Sequence, residues 1–292
     1  MKALIVLLVL VLAAAFAQTA TAPALPTAQD WVCPMDRDVR SDQPGVCPRC
    51  GMKLVLGIPD EAEYPMDLTL SPRVPKAGAK VLLTFAVRDP KTGKQVEHFQ
   101  IVHEKLFHFF MVSQDLSYFI HDHPVAQPSG EFKYDAVFPK PGMFRLLADI
   151  YPQGGTPQLI VRTVIVPREG GGAPLLAMPK LSVDLAPQHA ENMDVELTME
   201  PERPIAGMKT LMFFRIKPSD GVEKYLGAWG HMLAASDDLV DLIHNHPFLT
   251  YQDQIQFNMI FPRARIYKVW VQFQRKGVVN TVAFTVPVSD LQ

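Results

Sequence analysis

The strongest constraint on how this chain folds is an internal repeat. The segment His108-Phe-Phe-Met-Val-Ser113-Gln-Asp115-Leu-Ser-Tyr-Phe-Ile-His121-Asp-His123-Pro124 recurs as His231-Met-Leu-Ala-Ala-Ser236-Asp-Asp238-Leu-Val-Asp-Leu-Ile-His244-Asn-His246-Pro247, every position displaced by 123 residues. The register persists downstream: Phe138-Pro139 matches Phe261-Pro262, and Phe144-Arg-Leu-Leu-Ala-Asp matches Tyr267-Lys-Val-Trp-Val-Gln. Two copies of a unit of about 100 residues make a duplicated domain, not a solenoid.

Each copy reads as β. Phe132-Lys-Tyr-Asp-Ala-Val-Phe138 and Gln254-Ile-Gln-Phe-Asn-Met-Ile-Phe261 alternate apolar with polar residues, the period of a half-buried strand. Val81–Val87, Leu106–Val112, Met143–Ile150 and Leu159–Val166 are near-continuous apolar runs of strand length. Turn signals such as Asp89-Pro-Lys-Thr-Gly93 and Pro139-Lys-Pro-Gly142 fall between them, and 26 prolines argue against long helices. The expected class is mainly β: two tandem Ig-like or cupredoxin-like β-sandwiches at 64–167 and 179–288, joined by a Gly-rich linker at 168–178.

The N-terminus indicates export. Met1-Lys2 precedes an apolar run from Ala3 to Phe16, and Ala15-Phe16-Ala17 fits a small-x-small cleavage rule. Residues 1–17 therefore read as a signal peptide, residues 18–30 as a linker, and the mature chain as periplasmic or secreted, with no membrane insertion after cleavage. A formal net charge of −2 gives no reason to expect nucleic acid as a partner.

All three cysteines lie in Trp31-Val-Cys33-Pro-Met35-Asp36 and Cys47-Pro-Arg-Cys50-Gly51-Met52. A Cys-x-x-Cys knuckle lets two sulfurs converge on one cation, with Gly51 permitting the tight turn. Cys33 supplies a third sulfur, and Met35, Met52 or Asp36 can complete the set. Sulfur donors suit soft or borderline metals: Cu(I), Ag(I) or Zn(II). These motifs resemble the heavy-metal-binding domain attached to copper-transporting P-type ATPases and to periplasmic adaptors of metal efflux pumps. The resemblance covers residues 31–57 and implies a metal-binding role for Cys33, Cys47, Cys50, Met35 and Met52. Where that family usually continues Cys-Pro-Met with His-Pro, this chain has Asp36-Arg37, so a harder carboxylate replaces an imidazole.

Six of the nine histidines sit in the repeated pattern. In an extended segment His121 and His123 share one face. A hairpin turning on Gln114-Asp115 sets His108 opposite His121; a four-residue loop sets it opposite His123; a three-residue loop without a bulge sends it to the other face. The first two registers converge three imidazoles, His108, His121 and His123, and the same geometry follows for His231, His244 and His246. Three imidazoles suit Cu(II) or Zn(II), with an open position for water. Asp122 and Asn245 differ and should point the other way. Asp115 and Asp238 read as turn residues. His103, absent from the second copy, is close enough to His108 to serve as an auxiliary ligand, with a strand-end surface role as the favoured reading. The methionines outside the module read as core filling, and Met232, beside His231, is the one to test. The paired domains also resemble exported bacterial proteins of unassigned function that carry the same metal-binding segment ahead of them.

The expected function is binding of a heavy metal, copper first and zinc second, in sequestration, transfer or resistance within the cell envelope. An efflux or transport protein would be the partner. No catalytic constellation is apparent: there is no carboxylate repeated beside the histidines as a general base, no P-loop and no dinucleotide fingerprint. The alternatives are a metalloenzyme using three-histidine sites, or an envelope adaptor that uses metal only at the N-terminal module.

Overall fold

The structure is a computed structural model that describes residues 30–36, 39–57, 62–170, 179–251 and 253–291. The expected signal peptide, residues 18–29 and most of the inter-repeat linker (171–178) lie outside the described residues. Among the described residues no helix is long and apolar enough to cross a membrane.

Both repeats are Ig-like β-sandwiches built from antiparallel pairs. In the first, one sheet runs Met66–Ser71, Lys80–Val87, Phe132–Val137, Val125–Ala126. The other runs Gln158–Val166, Gly142–Ile150, Phe107–Ser113, Phe119–Asp122. The second repeat opposes a sheet centred on Lys209–Lys217 to one centred on Ile266–Arg275, which pairs with His231–Ser236 and Val278–Pro287. Strand alternation sets the cores. In Lys80–Val87, Val81, Leu83, Phe85 and Val87 are buried while the residues between them are not, and they pack on Phe107, Phe109 and Met111 of the facing sheet. Each such side chain contributes about 1.5–3 kcal/mol on burial.

Two strands break the alternation. Every residue of Phe107–Ser113 and of His231–Ser236 is buried. Their inward residues, Phe109 and Met111 or Met232 and Ala234, belong to the two sandwich cores. Their outward residues, Phe110 and Val112 or Leu233 and Ala235, meet one another in a third core that also takes Trp270. Phe119 of one repeat stacks on Trp270 of the other, with ring centroids 5.0 Å apart and planes 9° from parallel. A strand whose two faces are both covered loses the polar half of its alternation. The sandwiches are thus joined through the sheets that carry the histidines.

The N-terminal module is a three-stranded sheet with Asp30–Val32 between Arg40–Ser41 and Val55–Gly57. Its core consists of Cys33, Cys47 and Leu54, flanked by Trp31, Met35, Val39, Cys50 and Met52. So small an apolar core does not hold a fold by itself, and the sulfurs at its centre are where a cation would add stability. Gly57 seats the module on the first repeat: a Cβ there would lie 2.6 Å from Val32 and 3.1 Å from the Tyr151 hydroxyl.

Candidate metal centre

Three donor sets emerge. In the module, Cys33, Asp36, Cys47 and Cys50 place one donor atom each within 4.8 Å of one another. The Cys33 and Cys50 sulfurs are 3.4 Å apart, and all three cysteines are free. Backbone N–H groups point at the sulfurs: Asp36 N donates to Cys33 Sγ at 3.2 Å, and Arg49 N to Cys47 Sγ at 3.4 Å. Gly51, at φ 76°, closes the knuckle by donating to the Cys47 carbonyl at 2.9 Å. A thiol hydrogen bond from Cys50, helped by backbone donors and opposed by burial, brings Cys33 down to about 7. Donating that bond holds the Cys50 thiol protonated far above its usual range, and burial raises Cys47. A metal ion must therefore displace protons from this site as it binds. Asp36 accepts from Cys47 Sγ at 3.2 Å and pairs with Arg49 at 3.2 Å, so the set is three sulfurs and a carboxylate. Met52 packs in the module's apolar shell.

In the first repeat His108, His121 and His123 converge within the same 4.8 Å limit; in the second, His231, His244 and His246 do. The hairpins adopt the four-residue-loop register: Phe110 pairs with His121 and Ser113 N bonds the Tyr118 carbonyl, which sets His108 opposite His123. Leu233 pairs with His244 in the same way. Asp115 and Asp238 hold the turns, accepting from Ser113 and Ser236 hydroxyls at 2.6 Å. Asp122 and Asn245 point into their own sandwiches, to Tyr134 and to the Asn258 carbonyl. Met232 fills core space, as expected of the methionines outside the module. Alternation along its strand turns it away from His231 into the second core.

Hydrogen-bond partners assign the tautomers. His108 Nε2–H donates to the Val102 carbonyl at 2.9 Å, and His231 Nε2–H donates to the equivalent Tyr225 carbonyl at 2.9 Å. Their Nδ1 atoms are therefore lone pairs. His121 Nδ1–H donates to Gln272 Oε1 at 2.7 Å, an orientation held by Gln272 Nε2 donating to Thr281. His244 Nδ1–H donates to Asp149 Oδ2 at 2.6 Å. In both rings Nε2 is bare. His121 Nε2 thus faces His108 Nδ1 at 3.1 Å with no proton between them. His246 Nε2 lies 2.9 Å from the His231 Nδ1 lone pair, to which a neutral ring donates its N–H, and this leaves His246 Nδ1 against the Met35 sulfur. His244 Nε2 is buried without a partner. Converging lone pairs repel, and an unsatisfied buried nitrogen costs about 1–3 kcal/mol; a cation among them removes both penalties. Protonation is the other remedy, but burial and neighbouring imidazoles oppose it. His108 is lowered to about 4 and His123 to about 3 by burial first, and His121, His231 and His246 are pushed well down for the same reason.

The strand-end surface reading of His103 is overturned. This residue occupies a tight turn in which His103 and Glu104 both have positive φ, as do Leu226 and Gly227 at the equivalent positions. That turn reaches across to the other repeat, where the His103 ring stacks on His246 with centroids 3.8 Å apart. It is an inner neighbour of the second triad, not a surface residue. Asp149 and Gln272, which orient the middle histidine of the opposite repeat, were not singled out. Their signal was present: each is a polar residue at the same place in a repeated apolar strand.

Residues 31–55 match the family described as Heavy metal binding domain. No curated protein matches the chain. Among solved structures it is similar to FdeC, an Escherichia coli adhesin, at 12% identity over 82% of this chain and 68% of that one, with a TM-score of 0.26. It is similar to domains 4 and 5 of the S-layer protein SbsC at 15% identity, over 78% of this chain and 100% of that one, with a TM-score of 0.22. A titin fragment aligns at 11% identity, over 78% of this chain and 98% of that one, with a TM-score of 0.20. With its duplicated sandwiches matched over residues 61–166 and 188–290, the chain belongs to the family described as Domain of unknown function (DUF8832).

Proposed function

We propose that this protein binds copper in the cell envelope after export, and that it sequesters the ion or hands it on to an efflux or transport protein. The observation that carries the reading is the seating of the sulfur module against the second triad. Met35, two residues from Cys33, sets its thioether on His246 Nδ1. Thiolates and a thioether suit Cu(I), and imidazoles suit Cu(II) and Zn(II). A cation leaving the cysteines would therefore have a soft sulfur and then an imidazole next to it. Zinc is the second candidate.

The reading is of a binding protein and not an enzyme. Its support is that the carboxylate nearest the imidazoles, Asp149, is hydrogen-bonded to a ring it orients, the outer-sphere role usual for a metal-bound histidine. The export reading rests on the apolar N-terminal segment alone.

The test is loading with Cu(I), Cu(II) and Zn(II) in turn, followed by elemental analysis and a stopped-flow measurement of transfer. Retention of copper in excess of the cysteine site is expected. Replacing Cys47 and Cys50 with serine should slow filling of the imidazoles from a Cu(I) donor. Equal rates in the variant and the parent would eliminate transfer, and failure to retain copper would eliminate the reading as a whole.

A further inference from the structure

The two triads are not separate sites on separate domains. Ring centroids of opposite repeats approach to 5.2 Å for His121 and His231, 5.7 Å for His108 and His244, and 5.9 Å for His108 and His231. They fall in the range found within the triads, where His108 and His121 are 5.4 Å apart and His231 and His244 are 6.1 Å apart.

The contacts are also reciprocal. The middle histidine of each triad is oriented by the other repeat, His121 by Gln272 and His244 by Asp149, and these two partners occupy equivalent positions. Neither middle ring has its tautomer set without the other sandwich in place. The turns that supply the Val102 and Tyr225 carbonyls also meet across the seam, where a Cβ on Gly227 would lie 3.5 Å from the Glu104 carboxylate.

We propose that the six repeated histidines form one paired metal centre, holding two cations side by side in the seam between the sandwiches. The proposal rests on the reading that the imidazoles take metal, and goes beyond it in making the two ions neighbours. Two cations this close repel, and a low-dielectric seam strengthens the repulsion. Asp149 hydrogen-bonds a ring of the second triad at 2.6 Å, whereas the first triad's nearest carboxylate, Asp122, stays 4.0 Å from His123 Nδ1 and accepts from Tyr134. The pair is therefore unequal, and the triad backed by Asp149 fills first.

The experiment uses the full chain with Cys33, Cys47 and Cys50 replaced by serine, because free thiols reduce Cu(II). Should that variant not fold, the parent chain with its cysteines first filled with Ag(I), which is spin-silent, serves in its place. Cu(II) is added in steps and the electron paramagnetic resonance spectrum recorded. The first equivalent should give an isolated nitrogen-coordinated signal. The second should broaden it, introduce a half-field line, and leave the integrated intensity below two spins per chain. In Asp149→Asn the order of filling should be lost, with the coupled spectrum retained at two equivalents. Two equivalents giving two full, uncoupled signals would overturn the paired centre while leaving copper binding intact, as would saturation at a single equivalent. If no Cu(II) is retained at all, the imidazole part of the functional reading falls with it.

Discussion

The two triads have the same backbone but different neighbours. Each takes one histidine from the first strand of a hairpin and two from the second, and each locks the first by a backbone carbonyl six residues earlier in the chain. The first triad has Gln272 behind its middle ring and Asp122 near His123. The second has the Asp149 carboxylate, the stacked ring of His103 and the sulfur of Met35. Duplication reproduced the ligand geometry, and the pairing of the copies then differentiated it. Where a carboxylate replaces an amide behind an imidazole, the ring becomes a stronger donor. Among the described residues the sulfur module contacts the second triad through Met35, so the proposed transfer would reach that triad first.

The largest expected effect comes from removing ligands. His244→Ala with His246→Ala should abolish one imidazole-bound equivalent and leave the other, as should His121→Ala with His123→Ala. Isothermal titration of each double variant with Cu(II), in the background where the three cysteines are replaced by serine, checks this. Loss of both equivalents in either variant would show that the halves bind as one unit, which breaks the comparison.

Acid acts on both triads at once. The folded-state pKa values of His108 and His123 are lowered by burial to about 4 and about 3, so these rings are neutral in the native protein where the unfolded chain would be protonated. Above about 6.5 both states are neutral and nothing changes. As pH falls from 6.5 toward 4 the unfolded chain binds the extra protons, and the metal-free protein loses about 1.4 kcal/mol per pH unit for each histidine so suppressed. A thermal midpoint falling steeply across this window in chelator is expected. A flat profile would mean that the imidazoles are hydrated and not buried.

Smaller effects sharpen the difference between the halves. Asp149→Asn keeps size but removes the charge behind His244, and should weaken the second site about 10–100-fold. Gln272→Glu should move the first site the other way. Copper competition assays on the pair measure both, and equal affinities throughout would remove the asymmetry. Met35→Leu conserves volume and should cost less than about 1.5 kcal/mol in stability. Its expected signature is kinetic, a slower arrival of copper at the second triad with equilibrium affinity nearly unchanged.

Much of the architecture was legible from residues alone. Period-2 alternation marked Phe132–Val137 and Gln254–Ile260 as strands, because a sheet buries one face. The near-continuous apolar runs Leu106–Val112 and Met143–Ile150 marked strands, but that Phe107–Ser113 is covered on both faces is seen only in the structure. The hairpin register was less certain, since loops of two and of four residues both gather the imidazoles on one face. Ser113 bonding Asp115 and Tyr118 settled it.

By itself the sequence determined the ligand types, their spacing along each strand and their duplication, since side-chain direction in a strand follows from local backbone geometry. Only the tertiary structure decided which residues of one repeat stand behind the rings of the other. Asp149 and His244 are separated by 95 positions in the chain, and Met35 and His246 by 211. Contacts of that span depend on how two apolar sheet faces dock, with Phe110, Leu233 and Trp270 closing over one another, and no local pattern encodes the outcome.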